Sequence, residues 1–259
     1  MAPSAYVLAW PMVNFWRTRQ SRWAAERAIH LFLWNSEWMG YSSPMSLIST
    51  WLAIGLSAFD APAAPVDPSK RPVVLVHGIY CNGKAMTRMA QYLRSQGREV
   101  FTPSLTPSGG TLKLEVLAQQ LSDFADRELH GRSFDLVGFS MGGLISRYYL
   151  QRLGGLSRVP HFVTLATPHH GTKTAYALWQ PGVQQMRPGS AFLKDLESDA
   201  DQLRRIKFTS FYTPLDLVIV PARSSEMPQA KNVRLWAALH PSWIYEKRCL
   251  RAVEAELAQ

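Results

Sequence analysis

The chain has 259 residues, of which 47% are hydrophobic and 18% charged, and it is long enough to bury one large core. Its formal net charge of +9 comes from scattered Lys and Arg without a zinc-finger, RRM or basic-arm pattern, so no nucleic-acid partner is expected. An anionic membrane surface or an acidic partner fits this charge equally well. The two cysteines, Cys81 and Cys249, have neither CxxC nor metal-ligand spacing, which argues against a disulfide framework.

Residues 1–60 differ in composition from the rest of the chain, because they hold six of its nine tryptophans. In residues 15–39 aromatic and leucine side chains recur near helical spacing with arginines between them, which is typical of an interfacial helix. The uncharged run 45–59 is shorter than the ~20 residues of a comfortable membrane span. Two interpretations of this hydrophobic helical appendage stay open: it associates with a membrane, or it packs on the body of the protein.

A standard cleavable signal peptide is not favoured at the N-terminus. No Lys or Arg precedes Arg17, and Pro11 interrupts the first apolar run. The run 45–59 followed by "DAPAA" resembles a signal sequence but would require initiation at an internal methionine. We therefore expect a membrane-associated or cytoplasmic protein. The Pro-rich residues 61–71 predict a linker between the appendage and a domain at 72–259.

Beyond the linker, strand and helix patterns alternate along the chain. The predicted strands are short apolar runs at 72–78, 99–105, 134–140, 159–168 and 207–212. The predicted helices between them have helical periodicity and lie at 84–97, 111–129 and 142–154. This alternation predicts an α/β fold with three layers, in which helices cover both faces of a mostly parallel central sheet.

The pentapeptide "GFSMG", residues 138–142, joins a predicted strand to a predicted helix, which is the context of a nucleophile elbow. Gly138 and Gly142 remove side chains that would collide where the strand and the helix come close. A helix N-terminus directly behind Ser140 favours negative charge that develops there. We therefore predict that Ser140 is a nucleophile.

A serine nucleophile needs a base, and in this fold class an acid and then a histidine follow the serine. His161, His169 and His170 lie in or directly after one predicted strand and leave no room for an intervening acid. His240, in "LWAALHPSW", follows an apolar run that is expected to be the last strand, and it is therefore the predicted base. The alternative is a surface histidine that precedes a proline.

For the acid, Asp216 follows the predicted strand 207–212 directly, and a loop at the carboxyl end of a strand is where such a fold carries its catalytic acid. A turn-capping aspartate is the alternative. The acidic residues of a charged, helix-like stretch earlier in the chain are expected to face solvent: Asp195, Glu197, Asp199 and Asp201.

An oxyanion hole needs two backbone N–H donors, one from the residue after the nucleophile and one from the loop after an early strand. These donors are predicted to belong to Met141 and to Ile79, which lies in "VHGIYCNG". His77 either orients that loop by hydrogen bonding or caps the strand.

The segments "VVLVHGIYCNG", "LVGFSMGGLISRYYL", "TLATPHHGT", "FTSFYTPLDLVIVP" and "NVRLWAALHPSW" together resemble the bacterial lipase and esterase branch of the α/β-hydrolases, including the Bacillus-type triacylglycerol lipases. The resemblance implies that residues 72–259 form a catalytic domain that hydrolyses carboxylic esters, with acylglycerol or another lipid-like ester as substrate. It implies the roles given above for Ser140, Asp216, His240, Ile79 and Met141, and neither a metal nor an organic cofactor. In that family "TPHHGT" is a signature outside the triad.

Other functions on the same fold stay open. One alternative is an acyltransferase or a thioesterase, which turnover of an alcohol acceptor or a thioester would reveal. The other is an inactive hydrolase-fold protein that serves as a binding module, although all three residues of the triad are present. Two interpretations of residues 173–206 also stay open. The segment forms a short cap or one wall of an acyl pocket, or it is an ordinary surface loop; its large apolar residues are Trp179, Met186, Phe192 and Leu193.

Overall fold

The structure, a computed structural model, describes residues 64–259. The predictions for residues 1–60, and for the first three residues of the expected linker, lie outside the described residues. Among residues 64–259, no helix is both long enough and apolar enough to cross a membrane.

A central sheet of six strands organises this part of the chain, and the strands lie in the order β2-β1-β3-β4-β5-β6 with every neighbouring pair parallel. The strands are β1 Val73–Val76, β2 Val100–Phe101, β3 Asp135–Phe139, β4 His161–Leu165, β5 Lys207–Tyr212 and β6 Lys231–Arg234. The helices are α1 Thr87–Ser95, α2 Leu114–Leu129, α3 Met141–Arg152, α4 Pro181–Gln185, α5 Ala191–Glu197 and α6 Lys247–Leu257.

Helices cover both faces of the sheet, and the alternation of side chains along β1 shows why. Val74 and Val76 pack into one apolar cluster with residues of α2, α3 and α5, whereas Val73 and Leu75 pack into a second cluster with residues of α1 and α6. All four valine and leucine side chains are fully buried. The predicted three-layer α/β fold is confirmed.

Two details of the sequence prediction are wrong. The second strand is the pair Val100–Phe101 rather than the whole run 99–105. The last strand is Lys231–Arg234, which precedes the apolar run before His240. This strand lies at the edge of the sheet and three of its four residues are exposed, so it lacks the apolar pattern of a central strand.

The direction of strand addition changes between β1 and β3. From β1 the chain adds β2 on one side, and from β3 onward it adds strands on the other side. In open α/β sheets, this switch point opens a crevice at the carboxyl ends of the strands, where ligands bind. The loops that follow β1 and β3 therefore meet at the most probable position for a site.

The described part of the expected linker, residues 64–71, hydrogen bonds to the domain. The Asp67 amide donates to the Gly97 carbonyl at 2.8 Å, and Lys70 Nζ donates to the Gln96 carbonyl at 2.7 Å.

Candidate active site

The residues predicted to form the site all follow strands at the carboxyl edge of the sheet. Ile79 follows β1, Ser140 follows β3, Asp216 follows β5 and His240 follows β6. Because the strands are parallel, these four loops emerge on the same edge.

Ser140 occupies a tight turn between β3 and α3. Its backbone has φ 54° and ψ −124°, a positive φ that non-glycine residues rarely adopt. Its N–H donates to the Leu165 carbonyl of β4 at 2.9 Å, which fixes the turn against the sheet. A Cβ atom at Gly142 would lie 2.5 Å from the His77 carbonyl oxygen, so only glycine lets the helix start this close to β1. The turn therefore places Ser140 immediately before the N-terminus of α3.

Three side chains form a continuous hydrogen-bonded row at this edge. Ser140 Oγ lies 2.9 Å from His240 Nε2, and His240 Nδ1 lies 2.8 Å from Asp216 Oδ2. The side chains of His240 and Asp216 are 9% and 2% exposed, so the row is shielded but reachable from solvent at its histidine. An ionised carboxylate only accepts hydrogen bonds, so the His240 proton resides on Nδ1 and leaves Nε2 to accept from the serine hydroxyl.

The Asp216 carboxylate is oriented by its own loop. Oδ1 accepts the amide N–H groups of Val218 and Ile219, both at 2.9 Å, which leaves Oδ2 directed at His240. Thr172, from the segment "TPHHGT", holds the same loop. Its hydroxyl donates to the Val218 carbonyl at 2.8 Å and accepts the Val220 N–H at 2.9 Å. Sequence reasoning identified this segment but not the contact.

His240 begins a short 3-10 helix, His240–Ile244, whose Trp243 is fully buried. The residue before it, Leu239, has φ −140° and ψ 158°, which is ordinary extended backbone that any residue adopts. The Phe139 ring packs against the imidazole, with the ring centroids 5.0 Å apart. Phe139 thus forms an apolar wall beside His240.

The two expected oxyanion donors flank Ser140. Met141 is the first residue of α3, where backbone N–H groups have no partner within the helix. Ile79 lies in a loop that approaches the nucleophile closely. A Cβ atom at the neighbouring Gly78 would lie only 3.1 Å from Ser140 Cβ.

His77 holds the peptide that carries the Ile79 N–H. Its Nε2 accepts the Leu105 amide at 2.9 Å, so Nδ1 carries the proton and donates to the Gly78 carbonyl, also at 2.9 Å. The carbonyl of Gly78 and the N–H of Ile79 belong to one planar peptide and point in opposite directions, so this bond also fixes the N–H. Burial lowers the pKa of His77 and keeps the ring neutral. Of the two interpretations of His77, the structure favours loop orientation.

The other histidines and acids of this region have different partners. His169 is buried, burial holds its pKa well below the usual range, and its Nε2 lies 3.1 Å from Thr164 Oγ1. Asp195 and Asp199 bind Arg152, and Glu197 binds the fully buried Arg147. In the segment 173–206, Met186, Phe192 and Leu193 lie in the core, whereas Trp179 is 76% exposed. Within residues 64–259, no group of three or more His, Cys, Asp or Glu side chains could hold a metal ion.

Comparison with known proteins identifies a family and the fold. A family model described as palmitoyl protein thioesterase matches residues 72–215, a range that contains Ile79, Ser140 and Met141 and ends one residue before Asp216. A lipase of Bacillus licheniformis in its mature form is 20% identical, with a TM-score of 0.64 over 76% of this chain and 96% of that chain.

Two further solved structures share the fold. Lipase B of Aspergillus fumigatus is 15% identical, with a TM-score of 0.65 over 78% of this chain and 55% of that chain. An esterase of Exiguobacterium antarcticum is 14% identical, with a TM-score of 0.55 over 76% and 94%. The α/β-hydrolase fold that the sequence motifs implied is therefore confirmed.

Proposed function

Since this chain belongs to the palmitoyl protein thioesterase family, we propose that it is a serine hydrolase that cleaves carboxylic esters of lipid-like acids with Ser140, His240 and Asp216 as its triad. The observation that supports this most directly is the unbroken row from Ser140 Oγ through His240 to Asp216, with separations of 2.9 and 2.8 Å. These are the distances that a nucleophile, its base and the group that orients the base require.

In the first half of the reaction, Ser140 Oγ attacks the ester carbonyl carbon while His240 Nε2 takes the hydroxyl proton. The carbonyl oxygen becomes an oxyanion, to which the N–H groups of Ile79 and Met141 donate hydrogen bonds. Asp216 stabilises the imidazolium through Nδ1–H. His240 then returns the proton to the alcohol oxygen as its bond to the carbonyl carbon breaks. The alcohol departs, and the acyl group stays on Ser140.

In the second half, water takes the place of the alcohol. His240 accepts a proton from the water as its oxygen attacks the acyl carbon, and the tetrahedral intermediate uses the same two N–H donors. Collapse returns the proton to Ser140 Oγ and releases the carboxylic acid. Every proton moves between His240 Nε2 and an oxygen atom, so the cycle requires no metal and no organic cofactor.

A thioester is the second candidate substrate, and the family match favours it. The same attack and the same oxyanion donors apply, but the leaving group is a thiolate. A thiol, with an ordinary pKa of about 8.5, leaves more readily than an alcohol and depends less on protonation by His240. In this proposal one set of residues serves both substrates.

The test is hydrolysis of p-nitrophenyl esters from acetyl to palmitoyl, alongside palmitoyl-coenzyme A, by the wild type and by Ser140→Ala. We expect turnover to be lost in the variant for every substrate, and we expect long chains to be preferred over acetyl. The ratio of ester to thioester turnover decides between the two candidates. Activity that survives in Ser140→Ala would refute the triad, and a folded but inactive wild type would favour a binding module.

A further inference from the structure

The large hydrophobic residues that are exposed in residues 64–259 are concentrated on one side of the molecule. All of them except Val66 and Val116 lie in the loops that follow β1, β4, β5 and β6, which are the loops around the triad. Scattered exposed hydrophobic residues are normal on a protein surface, but a concentration of them at one edge marks an interaction site. We define the rim patch as Tyr176, Leu178, Trp179, Leu217, Val218 and Leu239.

Hydrogen bonds join the loops that carry the rim patch. The hydroxyls of Thr172 and Thr174 both donate to the Val218 carbonyl, at 2.8 and 2.7 Å, so the segment before Trp179 adjoins the loop of Asp216. The His240–Asp216 contact joins that loop to the one that carries Leu239. The loops that carry the rim patch therefore adjoin one another around the triad.

Three stretches of these loops, residues 173–190, 213–222 and 234–242, carry charge of a single sign at the surface. They contain Lys173, Arg187 and Arg234, and their one carboxylate, Asp216, is 2% exposed and bonded to His240. Farther along the loops after β5 and β6, Glu226 and Glu246 are 29% and 21% exposed and pair with Arg223 and Arg248. These stretches therefore attract an anionic partner electrostatically.

The cations are interleaved with aromatic rings. The Arg187 guanidinium lies 5.1 Å from the ring centroids of both Tyr176 and Trp179, and that of Arg234 lies 5.3 Å from the Trp236 ring. Arg187 also donates to the carbonyls of Ala175 and Leu178, so it stabilises the segment that carries these rings. Arg234 is exposed and keeps its charge at the surface beside an apolar ring. Tryptophan and tyrosine beside arginine suit the boundary between lipid headgroups and acyl chains.

We propose that the rim patch docks the domain onto an anionic phospholipid bilayer, with Trp179, Leu217 and their neighbours in the interface and Lys173, Arg187 and Arg234 beside lipid phosphates. The docking rests on the described surface alone and is separate from the appendage at residues 1–60. In the docked orientation Ser140 faces the lipid, so an acyl chain can enter the site without crossing water. This benefit for turnover rests on the proposed function.

The first experiment locates the contact in the full-length chain. Ser140→Ala, which cannot consume its target, is exposed to deuterated buffer with no vesicles, with phosphatidylcholine vesicles and with vesicles that also contain phosphatidylglycerol. We expect peptides covering 173–180 and 213–219 to exchange more slowly only with the anionic vesicles. Protection confined to residues 1–60, or equal protection on neutral vesicles, would overturn the proposal. A failure of the hydrolase assay would leave this result unaffected.

The second experiment removes the patch and uses matched controls. In the Ser140→Ala chain, Trp179→Ser combined with Leu217→Ser should lower the partition coefficient on anionic vesicles roughly tenfold or more, since each buried methylene contributes. The control is Val66→Ser combined with Val116→Ser, which removes exposed apolar residues elsewhere. Lys173→Gln should weaken binding at low salt, whereas Arg127→Gln on α2 should not. Thermal melting establishes that each variant is folded, and equal binding by patch and control variants would refute the docking.

Discussion

The two edges of the sheet each hold a buried aspartate close to a histidine, and we propose a catalytic role for only one of these pairs. At the carboxyl edge, Asp216 Oδ2 lies 2.8 Å from His240 Nδ1. At the amino edge, Asp135 Oδ1 lies 3.8 Å from His161 Nδ1, and these two residues are the first of β3 and of β4. The residue types are the same, so the surroundings of each pair must account for the difference.

At the amino edge the surroundings are cationic. Asp135 accepts from Arg71 Nε at 2.7 Å and from Arg98 Nη1 at 3.5 Å, and Arg98 Nε also binds Glu254 at 2.7 Å. Burial, together with the charges of Arg71 and other basic groups, lowers the pKa of His161 to about 4. The result is a neutral histidine within an ion-pair network that joins the segments before β1 and β2 to β3 and α6. Such a network stabilises the fold and contains no nucleophile.

At the carboxyl edge the hydrogen bonds run in one direction and end at a hydroxyl. The Val218 and Ile219 amides orient Asp216, Asp216 orients His240, and His240 faces Ser140. Shifted pKa values often mark functional sites, yet His161 is strongly shifted and lies at the structural edge. In this molecule the direction of the hydrogen bonds, rather than the size of a pKa shift, distinguishes the edge for which we propose catalysis.

The largest effect is expected from Asp216→Asn at the carboxyl edge. A carboxamide can hold His240 in the wrong tautomer, so we expect kcat to fall by roughly 10⁴-fold while the melting temperature changes little. The measurement is p-nitrophenyl ester hydrolysis beside thermal melting. Turnover within tenfold of the wild type would contradict the role of Asp216 in the triad.

The counterpart at the other edge is Asp135→Ala, which leaves Arg98 buried without one of its partners. We expect the free energy of unfolding to drop by about 3–5 kcal/mol and kcat per folded molecule to stay unchanged. Urea unfolding measures the first quantity. The control is Asp126→Ala, which removes a surface pair with Arg158 in which the aspartate is 70% exposed and should cost less than about 1 kcal/mol. A loss of kcat without a loss of stability in Asp135→Ala would show that the amino edge contributes to activity and is not purely structural.

Much of this arrangement could be predicted from the sequence. Parallel strands bring their carboxyl ends to one edge, so residues that directly follow apolar runs meet there, and the structure does bring Ser140, Asp216 and His240 together. The glycines around Ser140 made the turn recognisable. The predicted roles of these residues rest on the experiments above.

Other contacts had no sequence signal. Arg71 and Asp135 are far apart in the chain, and a charged residue at a strand start looks like a solvated end until the tertiary fold buries it. Thr172 and the loop of Asp216 likewise meet only because β4 and β5 are neighbours in the sheet. The edge strand Lys231–Arg234 has no apolar alternation, because only one of its residues, Val233, is even partly buried.

A smaller effect at the carboxyl edge is expected from Thr172→Val, which keeps the side-chain volume but removes both hydrogen bonds to the loop of Asp216. We expect kcat to fall roughly tenfold with little change in KM, because a displaced orienting loop affects the transition state more than substrate binding. Thr172→Ser keeps the hydroxyl and should restore most of kcat. If valine and serine behave alike, the hydroxyl does not position Asp216.

The smallest expected effect is a pH dependence of stability that originates at the amino edge. The pKa of His161 is about 4 in the folded chain and near 6.5 in the unfolded chain, so between these values the unfolded state binds more protons. Stability from this residue is therefore complete above about pH 6.5 and is lost as the pH falls toward 4.

His161→Gln should flatten that dependence by at most about one proton, and unfolding free energies measured between these pH values would show it. Burial also lowers the pKa values of His77 and His169, so a slope of the same sign remains in the variant. Asp135, whose pKa is raised chiefly by desolvation, opposes the trend near the acid end. Parallel curves for the variant and the wild type would mean that His161 is protonated in the folded chain. The ion pairs around Asp135 would then have to tolerate a further buried cation, and the amino edge would differ even more from the triad, in which His240 Nε2 is free to accept a proton.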